Sequence, residues 1–480
     1  MYKTWWSVSM QRVDKKQRNK DIILNSPNLY KSIILLALPI FLSNLLKSLH
    51  SFIDMYFVSN LLDIEAKSSG INAINLSNSP INITISIAAG LMVAGSALIA
   101  QYLGAKMRGD AKKTAGMLLV LSLIFGIILN VGLFFLAPVI AKWFDVSSLT
   151  ETFMVQYLQI RSFEMVPLFL FFAFQASRQS SGDTVTPVLF NIASFIVNVV
   201  FTYIFMKFLR LGVAGSAYAT LIAQGIILPF FLVMMFKDKK AEVYLDVRDL
   251  NFDTRRILKI FSMAWPIAIS QSFTSLGFMI LNKLIVGFGE QTVSAFSIGN
   301  NINMLILMPV MGIGGVLATF VGQNIGAGNE GRARDSVKKS AILSVSIMLI
   351  GMVIIIPFRR ALGGIFLSDL PEALELSSQY MMFLFLGLPL MAIYQVFMGA
   401  YQGSGETKFS LILSIIRLWF LRIPILLFYD KVLGLHYPDV IWYAMVISNF
   451  ASMMIGLVLY SFCKFKPKIN IEKQLEEINV

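Results

Sequence analysis

The sequence predicts an all-α integral membrane protein, with twelve transmembrane helices in two pseudo-symmetric six-helix lobes around a central cavity. Three observations carry this reading. Of 480 residues, 56% are hydrophobic and 14% charged, against about 25% charged in a soluble domain. The apolar residues run in blocks of about 20, the length of helix that crosses a bilayer. Three short motifs in the first half also recur, in order and at nearly constant spacing, in the second.

The blocks, read between Gly, Pro and charged breakers, place spans at 33–59, 70–102, 112–138, 150–178, 185–207, 211–236, 257–287, 293–325, 336–358, 374–402, 408–429 and 440–463. Several exceed the minimum length and are expected to tilt or to emerge from the hydrocarbon. Residues 1–32 read as a cytoplasmic tail, 33–236 as an N-terminal lobe, 237–256 as a cytoplasmic linker, 257–463 as a C-terminal lobe and 464–480 as a second cytoplasmic tail. Of the 40 Lys and Arg residues, with those at the ends of spans counted to the connection they adjoin, 28 fall in the tails and the even-numbered connections, 7 in the odd-numbered ones, and 5 deeper within spans. That bias puts both termini in the cytoplasm. It also accounts for the net charge of +13 without a folded basic surface for nucleic acid.

The repeat is explicit. "QYLGAKMRGDA" at 101–111 matches "QNIGAGNEGRA" at 323–333, "QSSGDT" at 179–184 matches "QGSGET" at 402–407, and "LPIFLSNLLKSLHSF" at 38–52 matches "WPIAISQSFTSLGFM" at 265–279, with Pro39 and Pro266 in register. An even number of spans per copy sends both copies into the membrane in the same direction, related by an axis along its normal. One cysteine, Cys463, and two histidines, His50 and His436, leave no material for a disulfide framework or a Cys/His metal cluster. No nucleophile motif, paired catalytic acids or His cluster points to an enzyme.

Ionisable residues inside spans are costly and mark functional positions. "LLKSLHSFIDMYF" at 45–57 sets Lys47, His50 and Asp54 three and four residues apart, along one helical face. Asp54 and Glu164 are the acids away from the ends of the spans, and desolvation brings such a carboxyl toward protonation near neutral pH. Asp54 therefore reads as an ion-exchanging group, or as a structural partner of Lys47, with His50 as accessory polar lining. Glu164 lies three residues from Arg161, a local pair. Arg417 and Arg422, on span eleven, are expected to find a carboxylate or backbone carbonyls. Asp183 and Glu406, at equivalent repeat positions, are expected to cap the helices that follow. Pro39 removes a backbone hydrogen bond and supplies a hinge in span one. Abundant Met and Phe, 25 and 39 residues, suit a pliable apolar cavity.

The first helix ending in "FIDMYFV", the "GQNIGAG" and "GAYQGSGET" loops and the "GVAGSAYAT" start of span six resemble the multidrug and toxic compound extrusion (MATE) family, of the multidrug/oligosaccharidyl-lipid/polysaccharide exporter superfamily. The resemblance covers roughly 33–463. It implies a secondary active antiporter in the membrane, needing no cofactor beyond a coupling ion and exporting small amphipathic organic compounds in exchange for protons or sodium. Asp54 matches the family's first-helix aspartate, and its partners there resemble Asn198, Thr202 and Thr220. Thr202 stands where many members carry Asp or Asn. The site then keeps one carboxylate, which favours H+ over Na+ held by Asp54, Asn198 and Thr202. In the second half, Leu281 stands at the position of Asp54, and Gln271, Ser275 and Asn282 replace the acids some members carry, so coupling is expected in the N-terminal lobe. Gln271, Asn282 and Arg417 join the accessory polar lining. The rival reading within transport is a flippase for lipid-linked oligosaccharide or other lipid precursors, to which the span-eleven arginines point. A monomer in a prokaryotic inner membrane is expected, with no nucleic-acid partner.

Overall fold

The computed structural model describes residues 22–61, 64–250, 252–367 and 371–469. Among them there is no strand. Eleven helices are long and apolar enough to cross a membrane, and one bent pair makes the twelfth. Spans one to three are Leu29–Leu61, Ile64–Gly104 and Arg108–Trp143. Span four is the pair Ser148–Ser162 and Met165–Ser180, bent by 46°. Pro167, in the first turn of the second piece, has no N–H to carry the helical ladder back across the break. Span five is Val185–Tyr203 with a π-helical end at Ile204–Phe208, and span six is Gly212–Lys237. Spans seven to ten are Thr254–Val286, Glu290–Gly326, Glu330–Ile355 and Pro371–Ser404. Span eleven starts as Thr407–Ile415 and alternates with π-helix at Ile416–Arg422 and Phe428–Val432; span twelve is Asp439–Phe462. The expected spans all form, and most run beyond their expected ends.

The chain forms two compact units. One holds residues 22–25 together with Leu42–Ala268, and the other holds Ser26–Phe41 together with the described residues from Ile269 on. Each unit thus contains the opening stretch of the other repeat's first helix. In the first unit, the Ala264–Ala268 turn around Pro266 rests on Gly90 of span two, where an added Cβ would lie 2.7 Å from the Ala264 carbonyl oxygen. In the second, the Ala37–Phe41 turn around Pro39 rests on Gly312 of span eight, with a Cβ 3.0 Å from the Ala37 carbonyl oxygen. Lipid tails are as apolar as the side chains, so helices in a bilayer associate through close backbone approach at small residues. Gly399 and Gly403 of span ten serve the same end, with added Cβ atoms 2.4 Å from the Gly314 carbonyl oxygen and 2.5 Å from that of Ala318.

Polar clamps fix both borrowed segments. Arg256, at the start of span seven, pairs with the Asp110 carboxylate at the start of span three. It also donates to the Asp110 carbonyl at 3.2 Å and to Asp253 at 3.0 Å. Arg332, the repeat equivalent of Asp110, donates to the Ser26 carbonyl at 2.8 Å, just ahead of span one. The same junction is held in each unit, with the basic group on opposite partners. Burial pushes the Asp253 carboxyl up, but the Arg256 and Arg255 N–H groups and the Arg256 guanidinium outweigh it and hold the group below its usual range.

The stretch joining spans six and seven is packed rather than loose. Ala241, Val243 and Leu245 are buried, the Lys112 ammonium sits 3.2 Å from the centre of the Tyr244 ring, and the Leu245 N–H donates to the Met235 carbonyl at 2.8 Å. The first unit's core includes Phe174 stacked on Phe231 at 5.5 Å, and the second is built around Trp442 stacked on Tyr380 at 4.3 Å. Large apolar side chains such as Phe135, Val353 and Phe462 point outward, as lipid-facing surface requires.

The repeat extends to backbone detail. Left-handed residues recur in register at Lys106 and Gly328, Gly182 and Gly405, and Arg210 and Gly434. The five-residue π ends of spans five and eleven, Ile204–Phe208 and Phe428–Val432, are likewise equivalent. The capping expectation holds for one acid of its pair. Asp183 accepts the Thr186 N–H at 3.1 Å, whereas Glu406 makes no side-chain cap and instead accepts from Lys468 at 2.7 Å. A nearby cation outcompetes the helix N–H groups for that carboxylate.

Two predictions follow from this packing. Arg256→Ala or Asp110→Ala should each destabilise the protein by about 1.5–3 kcal/mol, read as thermal melting in detergent, and the double variant should cost little more than either alone. Additive losses would deny the clamp. Cys463 is buried, and burial pushes its thiol up to about 11. A maleimide should therefore label the folded protein slowly at neutral pH and the denatured protein rapidly, because the thiolate is the reactive form.

Candidate functional site

Span five carries a polar face. Asn191, Asn198 and Thr202 are seven and four residues apart, so they fall on one side of the helix. Asn198 and Thr202 are fully buried, as is Thr220 of span six at 3% exposure. Asn198 Nδ2 donates to Thr220 Oγ1 at 3.1 Å, and the Thr220 hydroxyl donates in turn to the Ser216 carbonyl at 3.1 Å. These bonds leave Asn198 Oδ1, Thr202 Oγ1 and Ser216 Oγ buried with no hydrogen-bond partner. A buried polar atom left unpaired costs about 1–3 kcal/mol. Three such oxygens, one an amide carbonyl, suit a partner that brings a proton or a hard cation. Among the described residues, no three His, Cys, Asp or Glu side chains gather to hold a metal ion.

The backbone of Lys47, His50 and Asp54 is helical within span one, while their side chains lie outside the described residues. The flanking turns register span one on span five. Asn191 Nδ2 donates to Ser43 Oγ at 2.8 Å. Toward the other end, Phe57 packs on the Tyr203 ring with centroids 6.0 Å apart. Asp54 comes eleven residues after Ser43, about three turns, and three residues before Phe57, so all three positions share one helical face at about 100° per residue. The contact between Asn191 and Ser43 was not among the expected site residues. Its signal was in the sequence, in the spacing of the two asparagines.

Glu164 sits at the bend of span four, buried and paired with Arg161 at 2.8 Å. In the second unit, Gln271 and Asn282 are exposed, and the Gln271 carbonyl accepts from Ser275 Oγ at 3.1 Å. Leu281, the counterpart of Asp54, is buried in the apolar core with Trp442 and Leu388.

The span-eleven arginines depart from expectation, because no described carboxylate pairs with either. Arg422, 2% exposed, donates Nε to Ser448 Oγ at 3.1 Å and Nη2 to Asn449 Oδ1 at 2.8 Å. Arg417, 6% exposed, places Nη1 3.3 Å from the Met391 sulfur and its guanidinium 4.5 Å from the centre of the Tyr394 ring. Its Nε has no partner. The partners that span twelve gives Arg422, Ser448 and Asn449, are neutral oxygens. A guanidinium cannot shed its proton, so both positive charges persist.

Comparison with known proteins matches the duplication. The MatE family model fits twice, at residues 39–204 and 266–428, once in each repeat and each time from the proline of the first helix. A "Probable multidrug resistance protein YpnP" of Bacillus subtilis is 27% identical over 85% of this chain and 90% of its own. A "Probable multidrug resistance protein NorM" of Thermotoga maritima is 25% identical over 83% and 85%. A solved structure of the outward-facing conformation of a multidrug resistance MATE family transporter superposes with a TM-score of 0.84 at 21% identity, covering 92% of this chain and 96% of that one. With both repeats matched by its model, the chain belongs to the MatE family, whose members are membrane transporters and not enzymes.

Proposed function

We propose that this protein is a multidrug efflux antiporter that exports amphipathic organic compounds in exchange for protons, with Asp54 as the exchanging group. The observation that carries the reading is the buried polar face of span five. It has two unpaired oxygens, on Asn198 and Thr202, and it packs on span one both before and after the turn that bears Asp54. A protonated Asp54 carboxyl is a donor that such acceptors lack; an ionised one is acceptor-only and would be disfavoured among them. Proton uptake would therefore draw the turn of Asp54 toward span five, and proton release would let it go. Pro39, which leaves span one one backbone hydrogen bond short, provides the bend, and exchange of the proton for the exported compound follows from alternating access.

The names of the curated relatives support organic compounds as the cargo. The Lys and Arg bias supports cytoplasmic termini in a bacterial plasma membrane. Sodium coupling would use the same oxygens, with Asp54, Asn198, Thr202 and Thr220 as ligands.

In proteoliposomes, a pH gradient alone should drive export of a fluorescent organic cation. Asp54→Asn should abolish that export, and Asn198→Ala or Thr202→Val should slow it about tenfold, the equivalent of one charge-assisted hydrogen bond. Full pH-driven export by Asp54→Asn would end the proposal. Export driven by sodium and indifferent to pH would replace H+ with Na+ at the same residues.

A further inference from the structure

The two repeats differ by one residue in the middle of their fifth helix. Equivalent left-handed glycines, Gly182 and Gly405, are 223 positions apart, and the equivalent π-helix starts, Ile204 and Phe428, are 224 apart. The added residue falls in a stretch where only span eleven has a second π-helix, Ile416–Arg422. A π turn closes on the fifth residue instead of the fourth, so it holds one residue more. Arg417 and Arg422 are five apart. An α-helix would splay them by about 140°, whereas the π turn brings them to one face. Counted back through the register, Arg422 stands where Asn198 stands in the first repeat.

The same buried location is therefore furnished with opposite chemistry in the two units. The first offers unpaired oxygens. The second offers two guanidinium groups whose described partners are Ser448 Oγ, Asn449 Oδ1, the Met391 sulfur and the Tyr394 ring, all neutral. Arg417 Nε is buried with no partner at all, and the thioether on Nη1 is a weak acceptor. Two uncompensated charges at this depth are expensive. A carboxylate or phosphate would relieve them, because its oxygens accept from a guanidinium in a bidentate fork.

We infer that the Arg417–Arg422 face of span eleven is a binding site for the anionic head of an amphipathic ligand, a carboxylate or phosphate on an apolar body, supplied by the transported compound or by a lipid headgroup. Ser448 and Asn449 hold Arg422 in place, and the Tyr394 ring backs Arg417, leaving its donors for the ligand. The inference rests on the export reading only for what happens to the ligand afterwards.

Binding is measured without any gradient, on the full chain in nanodiscs of pure phosphatidylcholine. The probes are a dansyl-labelled long-chain fatty acid and its methyl ester. The wild-type protein should bind the acid at least about tenfold more tightly than the ester. Arg417→Gln should erase that preference and Arg417→Lys should retain part of it, since Lys keeps the charge but loses the fork. Equal affinities for acid and ester in the wild type would overturn the site, as would a preference that survives Arg417→Gln. Arg422→Gln is a second probe of the same loss, and Arg417→Gln decides the question if that variant does not fold. Titrating phosphatidylglycerol into the discs separates the sources. Competition that depends on Arg417 assigns the site to a lipid headgroup, no competition assigns it to the soluble amphiphile, and competition equal in wild type and Arg417→Gln counts against it. A protein that binds the acid yet exports under neither gradient would refute the export reading and leave this site intact. One that exports but ignores the probe's charge would do the reverse.

Discussion

Inside a bilayer there is no water to complete a hydrogen bond, so every polar atom must be answered by the chain itself or by what the chain carries. This constraint organises the whole molecule. Backbone groups are answered by the twelve helices. Glu164 is answered three residues away by Arg161, and Thr84, Ser177 and many other hydroxyls turn back onto carbonyls of their own helices. What the constraint leaves over is then informative. Among the buried atoms left unanswered are Asn198 Oδ1 and Thr202 Oγ1 on span five and Arg417 Nε on span eleven, the same helix of the repeat.

That distribution also separates scaffold from function. The glycine seats under Pro39 and Pro266 and the clamps at Arg256 and Arg332 are preserved in kind between the copies, because both units must hold a borrowed segment. The buried polar groups of spans five and eleven are not preserved. In the repeat, Asp54 corresponds to Leu281 and Asn198 to Arg422. Two units with one architecture bury different chemistry, unpaired oxygens in one and guanidinium groups in the other.

Much of this was legible in the sequence. Hydropathy located all twelve spans, because the bilayer demands unbroken apolar length, and the recurring Gly, Gln and Pro motifs exposed the duplication. Asn198, Thr202 and Thr220 were identified through family resemblance and do lie together. Other features were hidden by their nature. The exchange of first-helix segments is a matter of which chain packs where, and no local pattern encodes it. The π turn at Ile416–Arg422 leaves only a one-residue change in repeat offset, too small to read before the left-handed turns are placed. That no described carboxylate reaches the arginines is a property of three-dimensional neighbours. Glu406 shows the same limit on a smaller scale, since Lys468 claims it from 62 residues away.

The borrowed segments also impose an order on synthesis. Ser26–Phe41 leaves the ribosome long before Gly312, on which it will rest, has been made. At about 5–20 residues per second, the wait is on the order of tens of seconds. Throughout that interval the second unit's first piece is in the membrane with its own partner absent, while the first unit stays incomplete until Thr254–Ala268 arrives. Neither half can mature as an independent nascent domain. Biogenesis must hold an unfinished bundle open, and a break in the chain between the repeats would leave each fragment carrying a piece that belongs to the other.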